Sequence, residues 1–165
     1  SISPDSFSGF TGFCIVRFPT EMVLKFTDSQ LAYLNPDAVS QLSSSTVIQL
    51  IKQRKVAFVD IWGMNQTAYF PDNLVLAVKQ AILTKMVPEK QITREKLATI
   101  TWLQMAFTSV QSAVKVLNRA SITRMVPNGI RGIQGNVLAQ LPKDIFADLS
   151  LPQIAAVFSD ALASF

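Results

Sequence analysis

The chain has 165 residues, of which 49% are apolar and 16% charged, and its 15 Lys and Arg against 11 Asp and Glu give a net charge of +4. This composition excludes a disordered chain and suffices for one sizeable core, so we expect a single domain over residues 1–165. Histidine is absent and cysteine occurs once. These counts exclude Ser-His-Asp and Cys-His catalysis, the common zinc sites and an internal disulfide, so we expect no catalytic residue, metal or cofactor.

The basic residues form two small clusters, Lys52–Lys55 and Lys90–Lys96, among otherwise scattered charges. A nucleic-acid-binding protein is expected to show a basic stripe with stacking aromatic side chains, so we interpret these clusters as solvated surface and expect no nucleic-acid partner. No run of 18 apolar residues occurs, so we expect no segment of this chain to span a bilayer by itself.

Residues 1–12 are rich in Ser, Gly and Phe and are predicted to form an irregular arm. Phe7, Phe10 and Phe13 recur at a spacing of three, which favours packing, with recognition as the alternative. Cys14 is expected to be a small buried hydrophobe. The run Cys14–Phe18 is a candidate short strand, and Pro19 and Thr20 then offer a helix start.

The strongest pattern is a block of eight residues with apolar side chains at its fourth and seventh places. Between Asp28 and Ile51 these places hold Leu31, Leu34, Val39, Leu42, Val47 and Leu50, and between Gly135 and Phe158 they hold Leu138, Leu141, Phe146, Leu149, Ile154 and Val157. The alternating spacing of three and five excludes a one-sided strand, and eight residues overshoot two helical turns by about 80°, which excludes one continuous helix.

Prolines at block edges (Pro36, Pro142 and Pro152) favour separate helical starts. Helices this short become stable only by stacking on neighbours. We therefore predict an all-α fold, in which short helices stack as an armadillo-like superhelical repeat (a solenoid) or as a compact helical bundle.

Between and after these stretches, four further elements are predicted. Residues 55–62, KVAFVDIW, are the best strand candidate, with a buried helical segment as the alternative. Residues 63–67 are predicted to form an exposed loop, in which Asn65 begins a glycosylation sequon. Helical spacing predicts one helix over Asp72–Met86 and a longer one from Thr93 to about Arg119.

Two later stretches resemble functional sites without meeting their requirements. Pro127–Gly135 carries three glycines, but it lacks the terminal Gly-Lys-Ser/Thr of a phosphate loop, so we predict a turn. Asp144 and Asp148 are spaced as one helical turn apart, and we interpret them as the polar side of an amphipathic block rather than as an acid–base pair.

Three motifs resemble the mesothelin, stereocilin and otoancorin family: Tyr33-Leu34-Asn35-Pro36-Asp37-Ala38, Ile61-Trp62-Gly63 and Met125-Val126-Pro127-Asn128-Gly129. The resemblance is clearest over residues 20–90. It implies an extracellular superhelix of short helices, often membrane-anchored through a glycolipid, that serves adhesion and has no catalytic residues. This chain is shorter, poor in cysteine and without an anchor signal, which is compatible with one fragment of a longer precursor.

The resulting hypothesis is a non-enzymatic, secreted or cell-surface interaction module that binds a protein or glycan partner. The alternative is an amphipathic lipid-surface protein or a carrier of a small apolar ligand, suggested by a mean hydropathy of +0.31. Under the first hypothesis, membrane association is expected only through a partner or an anchor outside this chain.

The contacts are expected at the terminal apolar faces, with the rest of a longer precursor or with a second copy as occupants. The candidate residues are Phe7, Phe10, Phe13, Phe158, Leu162 and Phe165.

Overall fold

The structure is a computed structural model that describes residues 2–86 and 88–157. Many short helices make up most of the structure. Among the described residues, β-structure is limited to one isolated bridge between Lys90 and Thr108. The all-α prediction is therefore confirmed. Phe158, Leu162 and Phe165 lie outside the described residues.

The α-helices are short apart from two. In chain order they are α1 (Gly12–Ile15), α2 (Thr20–Val23), α3 (Asp28–Ala32), α4 (Pro36–Ser40), α5 (Ser44–Arg54), α6 (Met64–Ala68), α7 (Asp72–Lys85), α8 (Trp102–Ala106), α9 (Val110–Val116), α10 (Arg119–Ile122), α11 (Pro127–Arg131), α12 (Gly135–Leu138) and α13 (Leu151–Ala155). Three 3₁₀-helices accompany them, Pro4–Gly9, Lys55–Asp60 and Arg94–Lys96.

The chain divides into two compact units, Ser1–Ala81 (unit 1) and Ile82–Phe165 (unit 2). In unit 1 the largest buried side chains include Phe58 and Trp62, whose ring centroids lie 4.9 Å apart. In unit 2 one apolar cluster extends from Ile92 to Ile145. The expectation of a single domain over residues 1–165 stays a prediction.

Local capping explains why the first repeated stretch breaks into three helices. The Thr27 side chain accepts a hydrogen bond from the Gln30 amide, Asn35 caps α4 ahead of Pro36, and Ser43 caps α5. Such caps satisfy amides that have no partner within the helix. All six predicted apolar positions of this stretch are buried, as the eight-residue pattern required.

In the second repeated stretch the pattern weakens after its start, where Phe146, Leu149 and Val157 are half-buried against the apolar cluster of unit 2. Leu138 and Leu141 are buried, but residues 142–149 form successive turns instead of a helix, with an Ile145 amide bonded to the Pro142 carbonyl three residues earlier. Because these turns are tighter than an α-helix, successive side chains point in different directions from those that the eight-residue pattern predicts. Ile145 is consequently buried, whereas Ile154 is 48% exposed.

Both strand predictions were wrong. The segment from Lys55 to Asp60 is a 3₁₀-helix, and Cys14 and Ile15 belong to α1. Short apolar runs fit a buried helical turn as well as a strand. In the first case Phe58 and Trp62, four residues apart, pack on one side of the chain, which is the helical spacing.

Of the two predictions of a long helix, one is confirmed and the other was wrong. The helix predicted from Asp72 is confirmed as α7. The helix predicted over Thr93–Arg119 is divided into a 3₁₀-helix, α8 and α9, because Thr101 and Ser109 each cap a new helix start.

Candidate interaction surfaces

Side chains in each unit bond to backbone groups a similar number of residues away along the chain. In unit 1, the Trp62 indole donates to the Leu31 carbonyl at 3.0 Å, 31 residues earlier. In unit 2, the Asn128 side-chain oxygen accepts from the Trp102 amide at 2.8 Å, 26 residues earlier. The same kind of bond recurs at separations between 25 and 34 residues. Each unit thus contains helices that are bonded to segments 25–34 residues earlier in the chain.

A glutamine at the third helical position forms several of these ties. The Gln153 Oε1 atom accepts from the Ser150 amide at 2.8 Å, while Nε2 donates to the carbonyls of Thr123 and Met125 at 3.0 and 2.7 Å. Gln66 accepts from the Gly63 amide and donates to the Ala32 carbonyl in the same way. One carboxamide therefore caps the start of its own helix and the end of an earlier segment.

Sequence reasoning missed these glutamines, although a signal for them was present. The spacing of a cap residue and a glutamine three positions later recurs at Thr27/Gln30, Gly63/Gln66, Thr101/Gln104 and Ser150/Gln153. This is the capping-box pattern. It predicts where a helix begins, but it does not indicate which distant carbonyl the Nε2 atom will reach.

The three N-terminal phenylalanines proposed for an interaction face differ in exposure. Phe7 is buried and Phe10 half-buried, in an aromatic cluster with Phe18 and Phe26 whose ring centroids lie 4.8–6.1 Å apart. Phe13 is 69% exposed, with the Arg17 guanidinium 4.2 Å from its ring centroid. Phe7 and Phe10 are therefore packing residues, and the exposed member of the group is Phe13.

Other large apolar side chains near Phe13 in the chain are exposed as well. Val16 is 56% exposed and Met22 47% exposed. Val16 also lines an open cleft of about 470 Å³, whose mixed lining includes the apolar side chains of Ile15, Phe18 and Leu42. We call these three exposed side chains, Phe13, Val16 and Met22, the apolar patch of unit 1, a name that refers to their exposure and their closeness in the chain.

The sequon asparagine lies in a helix, not in the predicted loop. Asn65 belongs to α6 and its side chain is exposed. The Thr67 side chain is fully buried, and its hydroxyl donates to the Gly63 carbonyl at 2.8 Å. The two side chains that define the sequon thus face different environments. Glycosylation of Asn65 stays a prediction.

Asp144 and Asp148 lie in the turns of residues 142–149 rather than in a helix, and they surround Arg119. Asp148 accepts two hydrogen bonds from the Arg119 guanidinium, at 2.6 and 2.8 Å, and Asp144 lies 3.5 Å from it. Hydrogen bonding to Arg119 lowers the pKa of Asp148, and the same pairing raises the pKa of Arg119. Both carboxylates therefore serve an exposed ion-pair cluster.

Two further predictions, one about Cys14 and one about the glycine-rich stretch from Pro127, were wrong. Cys14 is exposed, not buried, because it lies on the outer side of α1, whose inner side carries buried Ile15. The glycine-rich stretch from Pro127 is helical, and its glycines permit close packing on α8. A Cβ atom on Gly132 would lie 2.1 Å from the Trp102 carbonyl oxygen.

Unit 2 contains an open polar cleft of about 500 Å³ between residues 91–95 and helix α9. It is lined by Gln91, Ile92, Thr93, Arg94, Glu95, Gln111, Ser112, Lys115 and Val116. The pKa of Glu95 is lowered, first by a hydrogen bond from the Thr93 side chain and further by the charge of Arg94. Two cations and several neutral hydrogen-bonding groups therefore share one concave surface.

Among the described residues, no cluster of His, Cys, Asp and Glu could hold a metal ion. The helices in the described part of the chain are also too short or too polar to cross a membrane. No protein-family model, curated protein or solved structure matches the chain.

Proposed function

We propose that the chain is a non-enzymatic extracellular interaction module, secreted or displayed at the cell surface, that binds a protein or glycan partner. In this proposal its short helices stack as an armadillo-like superhelix related to the mesothelin, stereocilin and otoancorin family. The proposal for the fold is supported by the separation of 25–34 residues that recurs between bonded groups within each unit, alongside a shorter separation of 20 residues between Ile92 and Ser112. A solenoid has this property because each repeat contacts only its neighbours.

Function follows from the surface that such a scaffold exposes. Stacked repeats create extended surfaces, and exposed apolar groups on them favour binding to a partner. The apolar patch of unit 1 supplies such groups, since Phe13 and Val16 are each more than half exposed. A helix-rich scaffold with an exposed aromatic side chain, Phe13, and two exposed aliphatic side chains supports recognition rather than chemistry.

The test is saturable binding of fluorescently labelled, secreted protein to intact animal cells, measured by flow cytometry. The variant Phe13→Asp/Val16→Asp should lose most of the binding, because two charges replace apolar contact groups. Tyr33→Asp/Tyr69→Asp is a matched control, since it adds the same charge and its positions are 52% and 69% exposed, close to the 56% of Val16 and the 69% of Phe13. Treatment of the cells with protease or glycosidase identifies the class of the partner. Binding that is not saturable, or that both variants reduce equally, would refute the proposal.

The alternative, a lipid-surface protein or carrier of a small apolar ligand, is favoured by one observation. The lining of the unit 1 cleft includes the apolar side chains of Ile15, Phe18 and Leu42 beside its polar groups. Flotation with neutral phosphatidylcholine vesicles distinguishes the two functions. Cofloating wild-type protein at high salt, with no saturable binding to cells, would favour the lipid alternative.

A further inference from the structure

We propose that the polar cleft of unit 2 binds the acidic groups of a sulfated polysaccharide. This inference rests on the proposed function, of which it names the partner class, but it concerns a different surface from the apolar patch of unit 1. Four kinds of observation support it: the charge of the unit, the chemistry of the cleft wall, the way the wall is held and the absence of aromatic groups from its lining.

The whole net charge of the chain is concentrated in unit 2. Unit 1 has six Lys and Arg against six Asp and Glu, whereas unit 2 has nine against five. Within unit 2, residues 96–143 contain no acidic residue and six basic ones. A net charge of one sign attracts oppositely charged polymers and raises their association rate. The favoured ligand of unit 2 is therefore an anion.

The cleft provides the contacts that an acidic sugar chain requires. Arg94 and Lys115 supply two positive charges on opposite walls, one from the segment 91–95 and one from α9. Charge-assisted hydrogen bonds to sulfate groups are stronger than neutral ones. Gln91, Thr93 and Gln111 add amide and hydroxyl groups. These can bond to sugar hydroxyls and ring oxygens.

Backbone bonds hold one wall of the cleft in place without a ligand. The Lys90 amide donates to the Phe107 carbonyl at 3.0 Å, and the Ser109 amide donates to the Lys90 carbonyl at 3.1 Å. The buried Ser112 hydroxyl accepts from the Ile92 amide at 2.9 Å. Because the segment is fixed to the start of α9 before binding, little conformational entropy is lost when a ligand enters.

The lining also discriminates among anionic ligands. No aromatic side chain belongs to it, so nucleobases would find no stacking surface. Its apolar members are Ile92 and Val116, which are too few to hold an acyl chain. Glu95 opposes anion binding by its own charge. A sulfated polysaccharide fits this combination because it is polar along its length and carries dense negative charge.

The test is the affinity of a heparin-derived dodecasaccharide for the full chain at 0.15 M salt, by isothermal titration calorimetry. Arg94→Ala/Lys115→Ala should weaken binding by roughly tenfold or more, as expected for the loss of two charge-assisted contacts. The control Arg124→Ala/Lys143→Ala removes the same charge from exposed positions outside the cleft lining, and it should change affinity by less than about threefold. Glu95→Gln should strengthen binding.

Several outcomes would overturn the inference. An equal loss of affinity for the dodecasaccharide in the two double variants would show non-specific attraction to a basic surface. Tighter binding of a single-stranded oligonucleotide than of the dodecasaccharide would show that the cleft serves another polymer. Equal affinity for hyaluronan, which carries carboxylates alone, would show that sulfate groups are not recognised. If wild type fails to bind the dodecasaccharide while it still binds cells that were treated with heparinase, this inference fails and the proposed function stands.

Discussion

The carboxamide of Gln153 donates to the main-chain carbonyl of Met125 at 2.7 Å, across 28 residues of chain. The same side chain accepts from the Ser150 amide, so one residue joins the start of α13 to the end of the α10 segment. Gln153 is 8% exposed, and water therefore has little access to replace these bonds. Gln153 therefore stabilises both the start of its own helix and the packing of that helix on the earlier segment.

Gln153→Ala should lower the free energy of unfolding by about 1–3 kcal/mol, because buried hydrogen-bonding groups lose their partner. Gln140→Ala is the control, since Gln140 is exposed and bonds only to the Asn136 carbonyl of its own turn. It should cost less than about 0.5 kcal/mol. Chemical denaturation followed by circular dichroism measures both, and equal effects would contradict a stacking role.

Close packing of α11 on α8 predicts that a side chain at Gly132 will strongly destabilise the fold. A Cβ atom there would lie 2.1 Å from the Trp102 carbonyl oxygen and 2.8 Å from the Met105 Cβ atom. Gly132→Ala should therefore destabilise the protein by about 3 kcal/mol or more, since backbone atoms must move. At Gly9 no atom lies within 4 Å of the added carbon. A thermal-unfolding midpoint of Gly132→Ala close to that of Gly9→Ala would argue against the contact.

Leu42 tests whether the eight-residue pattern defines the core. It is 5% exposed, so Leu42→Ala should cost about 2–5 kcal/mol of unfolding free energy. Leu151, the control for the same change, is 82% exposed and should cost less than about 0.5 kcal/mol. Urea denaturation gives both values. A loss below about 1 kcal/mol at Leu42 would mean that the pattern does not mark the core.

The ion pair between Arg119 and Asp148 predicts a pH dependence. Hydrogen bonds from Arg119 lower the pKa of Asp148 in the folded state. A lowered pKa stabilises the fold above the unfolded-state pKa, and this stabilisation is lost as the pH falls through the folded-state value. Because the pair is exposed, the effect should be small and should weaken with salt.

NMR titration of the side-chain carboxyl carbons measures this pKa directly. Arg119→Ala should raise the pKa of Asp148 towards its ordinary value. Asp5 serves as the control within the same spectra, because its lowered pKa is due first to a hydrogen bond from Ser3. An Asp148 titration that is unchanged by Arg119→Ala would exclude the pair in solution.

The parts of the fold that the sequence predicted are those set by neighbouring residues. Thr27, Asn35 and Ser43 each accept a hydrogen bond from the amide three residues later and so cap the helix that begins at the next residue, which makes the division of residues 28–51 into three helices predictable. Thr101 and Ser109 cap helices in the same way, but the apolar stripe along residues 93–119 predicted one long helix instead. The error lay in giving periodicity more weight than caps.

The candidate surfaces depended on distant contacts and were less predictable. Phe7 and Phe13 are both phenylalanines three residues apart from Phe10, but Phe7 is buried because it packs against Phe10 and Phe26, whereas Phe13 is exposed. The polar cleft combines Arg94 with Lys115, 21 residues later, because Ser112 fixes the Ile92 backbone to α9. No local pattern indicates that juxtaposition.

The last prediction concerns the time at which Asn65 is modified. A sequon consists of the asparagine and the hydroxyl residue two positions later, so its recognition requires access to both. In the folded protein Asn65 is exposed, but the Thr67 hydroxyl is buried and bonded to the Gly63 carbonyl. We therefore expect protein secreted from animal cells to carry a glycan on Asn65 that was attached before unit 1 folded.

Mass spectrometry of the secreted protein should find Asn65 occupied, and purified protein from bacteria should resist glycosylation by microsomes until it is unfolded. Thr67→Ser retains the sequon and is the control for Thr67→Ala, which removes it together with the buried hydrogen bond. A bare Asn65 in the secreted protein would remove this support for a secretory route. Efficient modification of the folded bacterial protein would show that burial of Thr67 does not protect the sequon, and that α6 opens readily in solution.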